Sequence, residues 1–281
     1  MTLPFLRHAA LLLALTMIWS FASGATGALI IIDDFELPLD PTPANGGYLS
    51  PGNAGLGQGN PLVAQQNAPV ANTIGGQRDV FVQQTDDNVN GGSSVVNGRD
   101  DWYGVERGQY VANTAVEDVL YHQLQYDGDG EVEMPDGPLS DAKALMVDLT
   151  DNGANDHFLI RFRNSQVPHA AGLGLFFTVT SASGVSTYTG AMSDTGDSGM
   201  GVPNVVDLLI PFADFGGTAE FNAVTSLTFN FNGGGVTGRV GADFAIDLIA
   251  TVPEPSGAAL LGLGAVGLAV PTWQRRRRRA G

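Results

Sequence analysis

Between Leu29 and Val252 the chain is written in short runs where apolar and polar residues alternate. Clusters of Gly, Asn, Asp and Pro separate the runs, and almost none of them repeats at the helical period. Strict alternation puts every second side chain on one face, the pattern of a half-buried strand. His157 to Arg163 sets Phe158, Ile160 and Phe162 against His157, Arg161 and Arg163. Leu173, Leu175, Phe177 and Val179 form a second apolar row, and Val206, Leu208, Ile210 and Phe212 a third. Leu227, Phe229 and Phe231 form a fourth, with Thr228, Asn230 and Asn232 expected to face water. Phe244, Ile246 and Leu248 form a fifth, opposite Asp243 and Asp247. Ile30 to Phe35, Asp79 to Gln84, Val119 to Tyr126 and Ala144 to Leu149 supply four more expected strands. So many short strands without helical crossovers predict an all-β fold, an antiparallel two-sheet jelly-roll sandwich. Leu37 to Gly76, dense in Pro, Gly, Asn and Gln, reads as a long irregular excursion with at most a short strand near Leu62 to Ala64.

Charge narrows the function. The 281 residues include 29 acidic and 13 basic side chains, and five of the basic ones are Arg275 to Arg279. Between Leu29 and Val252 only Arg78, Arg99, Arg107, Lys143, Arg161, Arg163 and Arg239 oppose 28 acidic residues. Such a surface repels phosphate backbones and excludes nucleic acid as a partner. The absence of Cys removes disulfide scaffolds, thiolate metal sites and cysteine nucleophiles together.

The two ends read as addresses. Arg7 precedes an apolar run, Ala9 to Phe21, and small residues follow to Ala28. At about thirteen residues this run is shorter than the roughly 20 that a membrane span needs, so residues 1–28 read as a cleaved secretory signal peptide. The C-terminus, 253–281, places Val252-Pro253-Glu254-Pro255 before an apolar stretch, Ala258 to Val270, and then Arg275, Arg276, Arg277, Arg278 and Arg279. The arginine block would hold the short transmembrane segment 258–270 in the inner membrane, with the basic end in the cytoplasm. One body, 29–252, between two targeting ends is the economical division.

This tail resembles the PEP-CTERM sorting signal of exopolysaccharide-producing Gram-negative bacteria. The resemblance covers the last 29 residues, with all three elements in order and Pro271 as a departure that shortens the span. It implies an exosortase as partner, a transient inner-membrane intermediate, and delivery to the cell surface or extracellular matrix. In the body, Ile32-Asp33-Asp34-Phe35-Glu36 and Phe244-Ala245-Ile246-Asp247-Leu248-Ile249 resemble the first and last strands of galactose-binding-like jelly rolls, family-11 carbohydrate-binding modules among them. Gly75-Gly76-Gln77-Arg78-Asp79, Tyr126-Asp127-Gly128 and Val147-Asp148-Leu149-Thr150 are similar to recurring blocks of PEP-CTERM surface proteins.

Candidate sites are sparse. His122, His157 and His169 form no zinc-binding spacing, and no Gly-x-Ser-x-Gly occurs. Among 28 acids a glycosidase-like pair arises by chance, so solvated charge explains most of them and no catalytic residue is expected. Calcium has two candidate places. One is the carboxylate–glycine alternation of Asp127, Asp129 and Glu131, where a plain acidic turn is the simpler reading. The other is a cluster of Asp33, Asp34 and Glu36 with Asp247, provided the first and last strands are neighbours. For a glycan, Arg99, Asp101, Trp102 and Tyr103 combine charge with paired aromatics, although core packing is the simpler reading of Trp102. The sequence thus predicts an exported structural or adhesive surface protein. An exopolysaccharide-binding module is the alternative, with a glycosidase-like enzyme behind it.

Overall fold

The alternating rows become strands that pair antiparallel throughout. The computed structural model describes residues 27–36, 48–49, 62–67, 73–84, 92–98, 108–114, 118–128, 145–166, 172–192, 205–232 and 241–254. Within them the strands are β1 (Ile30–Asp33), β2 (Tyr48–Leu49), β3 (Leu62–Asn67), β4 (Gln77–Gln84), β5 (Gly92–Gly98), β6 (Gln109–Thr114) and β7 (Leu120–Tyr126). There follow β8 (His157–Gln166), β9 (Leu173–Ser181), β10 (Gly184–Met192), β11 (Val206–Pro211), β12 (Gly216–Gly217), β13 (Val224–Phe231) and β14 (Asp243–Val252). Two short 3-10 turns, Ile74–Gly76 and Phe212–Asp214, are the only helical pieces among the described residues. The first sheet runs β11-β8-β14-β6-β5-β2, and β1 also pairs with β14. The second runs β12-β10-β9-β13-β7-β4-β3. The body Leu29–Val252 forms one compact unit, a two-sheet antiparallel β-sandwich.

Phenylalanines from the two inner faces fill the space between the sheets. Phe158 of β8 meets Phe229 of β13 edge to face at 5.7 Å, and Phe244 of β14 lies 5.3 Å from Phe231. Tilted and T-shaped pairs set the positive ring edge against a negative face, adding about 0.5–1.5 kcal/mol each to burial. The expected rows of β8, β9 and β13 do point inward: Phe158, Ile160, Phe162, Leu173, Leu175, Phe177, Val179, Leu227, Phe229 and Phe231 are all buried.

Four expectations change. Asn230 and Asn232, read as solvent-facing, are buried: Asn230 accepts a bond from Tyr121 Oη at 2.5 Å, and Asn232 Nδ2 donates to Leu120 O at 2.9 Å. In β14 a bulge at Asp247 shifts the row, so Ile249 rather than Leu248 is fully buried. Two residues facing one is what a bulge does, and it exchanges the faces beyond it. Of the strand expected at Ala144 to Leu149, the described residues 145–149 form no ladder; Val147 makes a lone bridge to Val224. Finally, the segment expected to be irregular contributes β2, on β5, and its short strand expected near Leu62 to Ala64 is longer, as β3 pairs with β4 from Leu62 to Asn67.

His122 sits on the inward row of β7 with Leu120, Leu124 and Tyr126, not on the polar face. Its Nδ1 is 2.9 Å from Tyr110 Oη, its ring meets Phe244 edge to face, and Nε2 has no partner. Burial without a counter-charge pushes its pKa from 6.5 down to about 3. Because the folded value lies below the unfolded one, the unfolded chain binds the extra proton between these limits. Stability therefore falls as pH drops through this window, by about 1.4 kcal/mol per pH unit. Urea titrations between pH 6.5 and 5, above most carboxylate titrations, should show this slope. His122→Gln, which does not titrate, should flatten it; an unchanged slope would assign the effect to other groups.

Candidate functional site

The body's first strand opens with three isoleucines and then turns a carboxylate into the core. Strands β1 and β14 do pair, with Ile30 opposite Thr251 and Ile31 opposite Ala250, and the register slips before Asp33 meets Ile249. At that slip Asp33 is fully buried. Arg78, at the start of β4 in the other sheet, closes a bidentate ion pair on it, with Nε 2.5 Å from Oδ2 and Nη2 bonded to Oδ1. Tyr126 Oη of β7 donates to Oδ2 at 2.7 Å, and the Phe35 amide donates to Oδ1 at 2.9 Å. The Arg78 guanidinium also lies 5.1 Å from the Phe35 ring centroid. Phe35 holds φ +56°, a costly backbone for a bulky residue, fixed here by its amide bond and the cation above its ring. Burial is the largest single influence and favours a neutral arginine, but the charge and hydrogen bond of Asp33, with those of Tyr126, together outweigh it and raise the Arg78 pKa. Burial, and then the Asp33 charge, push the Tyr126 phenol well above its ordinary range.

The cation beside Asp33 is thus a guanidinium. Asp247, at the bulge of β14, stands 3.1 Å from Arg163 Nε. A calcium ion at this junction would compete with both arginines. Asp34 accepts from the Glu36 amide at 3.2 Å in a local turn, and the Glu36 side chain lies against Gly108. Asp127 is buried and accepts from Gln125 Nε2 at 2.6 Å, ending a ladder of side-chain bonds along Tyr121, Gln123 and Gln125 on the outer face of β7. Asp129 and Glu131 lie outside the described residues, as do Arg99, Asp101, Trp102 and Tyr103. Among the described residues no three His, Asp or Glu side chains are grouped so as to hold a metal ion. His157 Nδ1 faces Asp156 Oδ1 at 2.6 Å.

A groove of about 580 Å³ opens elsewhere on the body, lined by Asp148, Thr150, Asn152, Gly153, Glu220, Phe221 and Asn222. One wall is a turn built around Asp148, whose Oδ1 accepts from the Thr150 amide (2.8 Å) and hydroxyl (2.5 Å) and whose Oδ2 accepts from the Asn152 amide (2.9 Å). The Thr150 hydroxyl, outweighing desolvation, holds the Asp148 carboxyl below its usual range. Asp151, Asn152 and Gly153 follow at φ +46°, +56° and +85°, so the chain needs small turn-forming residues here. The facing wall is joined to this one by backbone bonds: Leu149 N to Phe221 O at 2.9 Å, and a reciprocal pair between Val147 and Val224. The same loop caps the end of β14, since Asp156 N donates to Val252 O at 3.2 Å and Thr251 Oγ1 donates to Leu149 O at 2.9 Å. The sequence reading missed this site. The signal was there in Asp148-x-Thr150-x-Asn152-Gly153, a polar alternation closed by glycine.

Of the residues expected to form a sorting motif, Val252 ends β14 opposite His157, Pro253 is half-buried and Glu254 is exposed. Pro255 and Arg275 to Arg279 lie outside the described residues, as do residues 1–26 and 255–281 generally. Comparison of the sequence with family models and with curated proteins found no match.

Breaking the buried pair is a direct test of what holds the sheets together. Arg78→Met leaves an uncompensated carboxylate and should cost about 3–5 kcal/mol in urea unfolding. Asp33→Leu with Arg78→Met should recover much of that loss, because two apolar side chains carry no desolvation penalty. Strictly additive losses in this double-mutant cycle would show that the two groups are not coupled.

Proposed function

We propose that the chain is the precursor of an exported surface or extracellular-matrix protein, with a structural or adhesive sandwich as its body and an exosortase as its processing partner. The junction of body and tail carries this reading. Strand β14, flanked by β8 on one side and by β6 and β1 on the other, stays paired up to Val252. Pro253 then withholds the donor that a further ladder bond needs, and Glu254 is exposed. The Pro-Glu-Pro motif therefore starts where the ladder stops, an arrangement suited to cutting a tail while the fold keeps its last strand. The antiparallel pairing of β1 with the end of β14 also brings both ends of the body to the same end of one sheet. The same adjacency of first and last strands supports the finer proposal of jelly-roll topology related to galactose-binding-like modules. The body is proposed to act without catalytic turnover.

Replacing Pro253, Glu254 and Pro255 together with Ala should leave the precursor uncleaved in the inner membrane. Fractionation with mass spectrometry reads the outcome, and normal release of the triple variant would sink the exosortase reading. A structural calcium ion belongs to the proposal at the turn of Asp127, Asp129 and Glu131. A site of roughly 0.1 mM affinity in about 1 mM calcium adds about 1.4 kcal/mol through mass action, or some 3–5 °C for a domain of this size. Melts in calcium and in chelator at matched ionic strength should differ by this much, and Asp129→Asn with Glu131→Gln should abolish the difference. Coincident melts would remove the ion from the proposal.

Glycan binding is the second reading. It is favoured by the groove at Asp148 and Phe221, where an aromatic ring stands among carboxylates and amides.

A further inference from the structure

The ring of Phe221 stacks on Phe212 at 4.4 Å and 16°, and Phe215 meets it edge-on at 5.4 Å. Held in this way, the ring is an oriented apolar surface on one wall of the groove. Around it the lining offers the carboxylates of Asp148 and Glu220, the hydroxyl of Thr150 and the amides of Asn152 and Asn222. We propose that this groove binds a non-acidic pyranose unit of a glycan. The inference rests on the glycan-binding reading above and gives it a place and a sugar class.

Four features support this assignment. A volume of about 580 Å³ falls within the range of small-molecule sites, about 300–1,000 Å³. The walls are joined by the backbone bonds from Leu149 to Phe221 and between Val147 and Val224, so little ordering is needed when a ligand enters. A pyranose has an apolar C–H face and a rim of hydroxyls, which match an aromatic ring bordered by carboxylate acceptors and amides that both donate and accept. Among the described residues the lining includes two carboxylates and no Lys, Arg or His, so an acidic sugar would be repelled.

The test uses the full chain in a detergent without a sugar headgroup. Calorimetry is run with neutral hexose oligosaccharides of several linkages and, separately, with oligoglucuronate. Neutral oligosaccharides should bind about tenfold more tightly than the uronate. Glu220→Gln and Asn222→Ala, both at exposed positions that do not threaten folding, should each weaken binding about fivefold. Phe221→Ala should abolish binding, and the two exposed variants decide the question if that chain fails to fold. Neutral-sugar binding that survives both exposed variants unchanged would overturn the groove while leaving the glycan reading intact. Tighter binding of the uronate would overturn the sugar class. No binding to any oligosaccharide would overturn the groove and the glycan reading together.

Discussion

Asp33 and Arg78 are 45 residues apart in the chain, belong to different sheets, and meet where neither side chain touches water. Taking two charges out of water costs several kcal/mol per ion, recovered only when geometry and extra hydrogen bonds are both good. Here the guanidinium binds both carboxylate oxygens, and Tyr126 and the Phe35 amide occupy further acceptor sites. A slip of either sheet would break this set at once. The pair therefore penalises wrong sheet-on-sheet arrangements more than it adds net stability. The bridge between Asp33 and Thr73, and the Arg78 bond to the Thr73 hydroxyl at 3.4 Å, draw the segment before β4 into the same lock.

Around that lock the remaining order is apolar and aromatic. Phe158 and Phe162 of one sheet reach Phe229 and Phe231 of the other, and dispersion between such rings needs density rather than direction. Apart from His122 and the group around Asp33 and Arg78, the polar side chains of β7 lie on its outer face. On β7 the outer face carries Tyr121, Gln123, Gln125 and Asp127, each bonded to the next, and Tyr121 also bonds Asn230 of β13. Buried amides and hydroxyls must find partners, and a two-residue spacing lets side chains of one strand supply them to one another.

The loop of Asp148 to Asp156 joins two roles. Its turn forms one wall of the groove, and its last residues cap β14 at Val252, the end of the body's chain. The loop thus ties the groove wall and the end of β14 to one segment. Loops so fixed to a scaffold are where binding residues concentrate, because backbone there can be shaped without disturbing a ladder.

Much of the sandwich was legible in the residues. The rows through Phe158, Leu173 and Leu227 alternate with period two, and that period alone fixes which side chains share a face. β10 was not legible, because Gly184–Met192 lies near a sheet edge and alternates only weakly between buried and exposed. The bulge that exchanges Leu248 for Ile249 was hidden for a different reason: it belongs to the pairing of β14 with β8, not to β14 itself. The inward turn of His122 was not legible either, because β7 is buried on both faces and polarity does not tell them apart. Of the candidate site, the adjacency of the first and last strands entered only as a condition, and the partner of Asp33 was not legible at all. By itself the sequence determined the all-β character and the acidic balance of the body, which are properties of composition and local period. Only the tertiary structure decided that Arg78 would neutralise Asp33 and that Phe221 would face Asp148, since each contact joins distant segments that local pattern cannot bring together.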